Sequence, residues 1–105
     1  MISKSHLPVL LLAFCSAASA ADASYGPELQ GFEYPYPVAH FDFPSQRQAL
    51  RMAYMDVQAK NPNGRTAVLM HGKNFCAATW RATIETLTAA GYRVVAPDQI
   101  GFCKS

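Results

Sequence analysis

The sequence has few charges, and none of them cluster. Nine lysines and arginines and seven aspartates and glutamates lie singly along 105 residues, for a net charge of +2. No basic stripe exists for a phosphate backbone to follow, so nucleic acid is not an expected partner. Paired carboxylates, metal-ligand spacing and a glycine-rich phosphate loop are all missing. No metal and no cofactor is expected. No apolar run approaches the ~18 residues that a membrane-spanning helix needs. Cysteine is scarce, with only Cys15, Cys76 and Cys103. There are no internal repeats, and the length has room for one small domain at most.

The longest apolar stretch, Leu7 to Phe14 with Pro8 inside it, follows Lys4 and His6 and runs on to Ala18-Ser19-Ala20. Basic, apolar and small residues in that order make residues 1–20 a secretory signal peptide, with cleavage after Ala20. The expected location is periplasmic or extracellular, without a stable membrane anchor. Bulky Phe14 before Cys15 argues against a lipid on that cysteine. Removal of the signal leaves roughly 85 residues, which bury only about 60–65% of their extended-chain surface and make a marginal core. The cysteines left, Cys76 and Cys103, form an even pair, which in an exported chain is a disulfide candidate. Two free thiols and a cysteine nucleophile are the alternatives.

Residues 21–37 are rich in Pro, Tyr and Gly, as in Tyr34-Pro-Tyr-Pro37, and read as an irregular linker lying along the domain, with Phe32, Tyr34 and Tyr36 against the sheet edge. The domain itself is 38–105. Val38 to Phe43 alternates, with Val38, His40 and Asp42 on one side and Ala39, Phe41 and Phe43 on the other. Pro44 to Arg47 supplies a turn, and Leu50 to Val57 alternates again, which predicts a hairpin. His40 is read as a structural or exposed histidine. Asn61-Pro-Asn-Gly64 is a turn signal. Thr66 to Met70 is apolar without alternation, the pattern of a strand buried on both faces. Ala77 to Ala90 places Ala77, Trp80, Ile84 and Leu87 on one helical face, and Gly91 stops the helix. Tyr92 to Ala96 is a second buried-type strand. A strand–helix–strand unit of this length implies a parallel pair.

Ligands in open α/β sheets sit beyond the carboxyl ends of the strands. Two loops fall there: His71-Gly72-Lys73-Asn74, and Asp98 to Ser105. Gly72 allows close backbone approach, and the turn into a helix presents free N–H groups suited to developing negative charge. The His-Gly loop, the amphipathic helix and a strand ending Pro-Asp-x-x-Gly-x-x-x-Ser together resemble the α/β-hydrolase superfamily. The run is similar to that family's D-x-x-G-x-G-x-S, with Asp98, Gly101 and Ser105 matching and Cys103 in place of the second Gly.

The resemblance covers Val38 to Ser105 and implies the N-terminal part of an α/β-hydrolase sheet, in which an antiparallel hairpin precedes the parallel unit. It assigns His71, Gly72 and Lys73 to the oxyanion-hole loop, the Lys73 main-chain N–H being the donor. His71 positions that loop and is not the general base. Asp98 and Gly101 belong to the substrate-edge loop, where Asp98 fixes backbone N–H groups and is not a catalytic acid. Ser105 is no nucleophile. The strand order implied by the resemblance makes the two loops neighbours, which favours a Cys76–Cys103 bridge.

No catalytic residue is expected within this chain. The G-x-S-x-G elbow, acid and histidine of such an enzyme are all missing, so the chain is read as an inactive N-terminal fragment. The complete exported enzyme would hydrolyse a small ester-like substrate. Neither the loop Pro common in epoxide-hydrolase-like members nor the Asn-Pro of dehalogenase-like ones follows His71-Gly72, which favours an esterase over an Asp-nucleophile dehalogenase or epoxide hydrolase. The reading from another class is a non-catalytic secreted binding module.

Overall fold

The structure, a computed structural model, describes residues 24–105. The expected signal peptide, residues 1–20, lies outside the described residues. Four strands form one sheet in the order β1-β2-β4-β3: β1 (Val38–Ser45), β2 (Gln48–Val57), β3 (Thr66–Val68) and β4 (Arg93–Pro97). β1 and β2 are antiparallel, as are β2 and β4, while β3 and β4 are parallel. A single 3-10 turn, Ala77–Trp80, leads into helix α1 (Arg81–Ala89), which connects the parallel pair. The expected order of strand, strand, strand, helix, strand therefore stands.

The turns differ from expectation. Pro44 and Ser45 belong to β1, and the register pairs Ser45 with Gln48, so only Gln46 and Arg47 form the hairpin turn. Both have positive φ, 49° and 63°, as a two-residue turn matched to strand twist requires. Pro44 is tolerated because β1 is an outer strand of the described sheet. Asn61 to Gly64 bends the chain without a backbone turn bond of its own. Asn63 instead binds the end of α1, its N–H donating to Gly91 O at 2.8 Å and its Nδ2 to Ala90 O at 3.1 Å. Gly91, at φ 93°, has no room for a Cβ, which would lie 2.8 Å from Asn61 O.

The core sits on one face of the sheet. Met55, Val94 and Ala96 project toward Ala77 and Ile84, with Trp80 and Leu87 packed around them, so the expected helical face is the one that packs inward. Tyr34 and Tyr36 join this cluster, so these two linker aromatics cover the core, while Phe32 stays exposed. The opposite face holds Phe41, Phe43 and Met52, and Phe41 is 58% exposed while stacking on Phe43. β3 is not buried on both faces as its apolar run suggests. It is the outer strand of the described sheet, three residues long, with Val68 60% exposed. Pairing reaches one residue further through Leu69 N–H, which donates to Val95 O.

Candidate functional site

Because β3 and β4 run parallel side by side, the loops leaving their carboxyl ends meet. The first loop is a tight turn from Gly72 to Phe75, closed by Phe75 N–H donating to Gly72 O at 3.1 Å. Its third residue, Asn74, has φ 70°, a conformation that Asn tolerates and that a type II turn needs at this place. Lys73 occupies the second position. Among the described residues its N–H donates to no protein group, and the side chain is exposed. A backbone donor left free beside a strand end is what an oxyanion would require.

His71 is 4% exposed, so its ring needs internal partners. Nε2 accepts the Gln99 N–H at 2.9 Å. A backbone amide can only donate, so the ring proton is assigned to Nδ1, which lies 2.9 Å from Gly72 O. The Gln99 side chain returns through Nε2 to the His71 carbonyl, and Phe102 meets the imidazole edge-on at 5.5 Å. The histidine thus ties one loop to the other, with both ring nitrogens occupied.

Asp98 is fully buried. Its carboxylate accepts three bonds: Ala77 N–H at 2.7 Å on Oδ1, Lys104 N–H at 3.0 Å and the Tyr34 hydroxyl at 2.5 Å on Oδ2. Its own N–H donates to Ala53 O at 2.9 Å. Burial, then the hydrogen bond to Asp98 and that carboxylate's charge, hold the Tyr34 hydroxyl far above the ordinary tyrosine range, so it stays a donor. Ser105 closes the same loop, accepting Ala53 N–H at 2.8 Å and donating to Asp98 O at 2.6 Å. Gly101 (φ 84°) and Cys103 (φ 51°) both take the left-handed conformation. Position 103 is thus one where glycine would be unstrained and cysteine is not.

Cys76 and Cys103 are brought together with Cα atoms 5.9 Å apart, within the span a disulfide bridges. Cys76, Asp98 and Cys103 also place their ligand atoms within 4.8 Å of one another. With three donors already on the Asp98 carboxylate, that cluster is a poor cation site. His40 stands apart on exposed β1.

Sequence reasoning named Tyr34, Asn63 and Asn74 only as linker, turn and loop residues, without their specific roles, and gave Gln99 and Lys104 no role. Asn74 carried a usable signal, being the residue type that follows a Gly-x pair in a left-handed turn position. The others depend on contacts between distant segments, such as the 64-residue separation of Tyr34 and Asp98.

No protein-family profile matches the chain. It is 39% identical over 75 residues to a haloalkane dehalogenase of Mycolicibacterium paratuberculosis, covering 70% of this chain and 24% of that protein. It is 44% identical over 46 residues to epoxide hydrolase A of Mycobacterium tuberculosis, covering 44% of this chain and 14% of that one. The crystal structure of a probable hydrolytic enzyme from Pseudomonas aeruginosa superposes with a TM-score of 0.75 at 64% identity, over 76% of this chain and 26% of that one. The chain spans about a quarter of the length of the dehalogenase it matches.

Proposed function

The chain belongs to the α/β-hydrolase superfamily, and from that premise we propose that it supplies the oxyanion-loop part of a longer enzyme that hydrolyses a small molecule. One observation carries the reading: the Lys73 N–H stands free at the carboxyl edge of the parallel pair, on a loop that His71 ties to Gln99 and that Phe75 N–H closes onto Gly72 O. The nucleophile, acid and histidine belong to the rest of that enzyme. In this reading the part described here has no turnover of its own.

The first substrate class is an ester, attacked by a serine while Lys73 N–H helps hold the oxyanion. The absence of proline from the loop after Gly72 supports it. The second class is a haloalkane or an epoxide, opened by an aspartate nucleophile, and the names of the relatives support that alternative. Short p-nitrophenyl esters, a bromoalkane and styrene oxide, offered to the complete protein, separate the two. Release of p-nitrophenol alone supports the serine ester hydrolase. Bromide or diol formation replaces it with the second reading, and silence on all three defeats both.

The role of Lys73 has its own test. Proline is favoured at the second position of a type II turn, so Lys73→Pro removes the N–H while suiting the backbone. Loss of one such donor lowers kcat by about 100-fold, whereas Lys73→Ala, which keeps the N–H, leaves it within about twofold. Equal effects of the two variants would place the function in the ammonium group instead.

Export and a Cys76–Cys103 bridge complete the proposal. The cysteine spacing in space and the N-terminal basic–apolar–small pattern both support an oxidising compartment. Thiol titration of the unfolded mature protein before reduction should find none; two free thiols would reject the bridge.

A further inference from the structure

The segment before β1 is wired into the loop pair, and nothing in the functional reading uses it. Residues Tyr25 to Tyr36 form two short turns, closed by Leu29 N–H to Gly26 O at 2.9 Å and Phe32 N–H to Leu29 O at 3.0 Å. Tyr25, Phe32 and Tyr34 then stack edge-to-face in series, with ring centres 5.4 Å and 5.9 Å apart. Beside them an open apolar cleft of about 390 Å³ is shared with Asn74, Phe75 and Cys76 of the oxyanion loop. The strap is fastened to the other loop at two points. Tyr34 donates to Asp98, and Lys104 donates from Nζ to Leu29 O at 3.1 Å while its ammonium lies 5.1 Å from the Tyr34 ring centre.

We propose that Tyr34 is a positioning residue: by donating to Asp98 from the N-terminal strap, it holds the backbone at Ala77 and at Lys104, and so fixes the two loops against each other. The geometry leaves this carboxylate little freedom. Ala77 N–H binds one oxygen, and Lys104 N–H and the Tyr34 hydroxyl share the second. Ala77 opens the 3-10 turn directly behind the oxyanion loop, and Lys104 lies next to Cys103. Without the hydroxyl the shared oxygen keeps one donor, and the carboxylate can rotate away from both backbone N–H groups. Burial and the neighbouring carboxylate keep that hydroxyl protonated, so the link persists across the working pH range. A role in catalysis rests on the hydrolase reading above; the mechanical link does not.

The test is Tyr34→Phe in the complete protein, read by amide hydrogen exchange and by kinetics, with Phe32→Leu as a control that loosens the strap but leaves the hydroxyl. Protection of the Ala77 and Lys104 amides should fall roughly tenfold in Tyr34→Phe, the scale of one bond to a charged group. The β4 ladder amides should keep theirs, and Phe32→Leu should change neither loop amide. A uniform fall across β4 as well would mark a merely structural tyrosine and overturn the proposal, as would unchanged protection at both loop amides. With an active enzyme, kcat per folded molecule should fall about five- to tenfold, with KM within about twofold of wild type. Unchanged kcat alongside lost protection would also overturn it. Failure of the wild type to hydrolyse anything would defeat the functional reading alone, because exchange is read without substrate.

Discussion

The β1–β2 hairpin and the loop pair at the ends of β3 and β4 occupy the same sheet and are held by different forces. The hairpin relies on its eight paired positions, on the exposed Asp42–Arg51 ion pair at 2.8 Å, and on apolar side chains left partly open. The loops bury their polar groups instead. Among the described residues His71 and Asp98 are the buried polar ones, and both lie at this end. Three left-handed residues, Asn74, Gly101 and Cys103, shape its turns. The hairpin turn has two left-handed residues of its own, Gln46 and Arg47, so the difference lies in the buried polar groups, which are costly individually and whose concentration in one place marks the region where backbone direction matters most.

The comparison fails if the loops prove no more sensitive than the hairpin. The largest expected effect comes from the proposed bridge. Closing the 27-residue separation of Cys76 and Cys103 contributes about 3.5 kcal/mol in the chain-entropy view. Cys76→Ala in the complete, oxidised protein should lose close to that amount by denaturant melting. Cys103→Gly loses the same bridge but relieves a left-handed cysteine, so it should be milder by about 1 kcal/mol. Equal losses would show that the backbone at 103 carries no strain. Next comes Asp98→Asn. It turns one acceptor of a three-donor site into a donor facing a donor, a loss of about 3 kcal/mol. A loss below about 1 kcal/mol would show that this network tolerates rearrangement.

The same contrast explains what could be read from the residues. The hairpin, the parallel unit and the helix face rest on period and spacing, which are local, and they stand with strand ends shifted by at most two residues and the first turn of the helix wound as 3-10. The Gln46-Arg47 turn was hidden because neither residue is a usual left-handed choice, and Pro44 drew the turn forward. β3 looked buried on both faces because its composition reports what a strand can tolerate, not which neighbours flank it. His71, Gly72, Lys73 and Asp98 could be placed on two neighbouring loops through family resemblance, since each of the two motifs is contiguous in sequence. Tyr34 could not, because nothing in Tyr34-Pro-Tyr-Pro37 specifies a partner 64 residues away.

Alkaline titration separates the regions more finely. Tyr34 has a folded pKa raised above its unfolded value near 10. Its contribution to stability is therefore complete below about pH 10 and is lost as pH rises, because the unfolded chain releases the proton first. Tyr34→Phe should flatten the decline in melting temperature between about pH 10 and 11.5. If the decline is unchanged, another group drives the alkaline limb.

The smallest effect belongs to the ion pairs that β2 makes, Asp42–Arg51 within the hairpin and Asp56–Arg93 across to β4, and it sharpens the contrast from the other side. Hydrogen bonding to Arg51 lowers the Asp42 carboxyl, and hydrogen bonding to Arg93 lowers that of Asp56. A depressed carboxyl stabilises the fold above its unfolded pKa, near 4, and that stability disappears as pH falls through the folded value. Water screens both pairs, and Asp42 is the more open, with 67% of its side chain exposed against 28% for Asp56. Asp42→Asn should therefore leave the melting temperature at pH 7 within about one degree. Asp56→Asn should shift it slightly more, since Arg93 reaches it through two bonds and joins β2 to β4. In both variants the loss should vanish as pH falls through the folded value of the wild-type carboxyl, which is then neutral too. Should Asp42→Asn prove as damaging as Asp98→Asn, exposed charge would be holding this sheet as firmly as buried polarity holds the loops, and the distinction between the two regions would collapse.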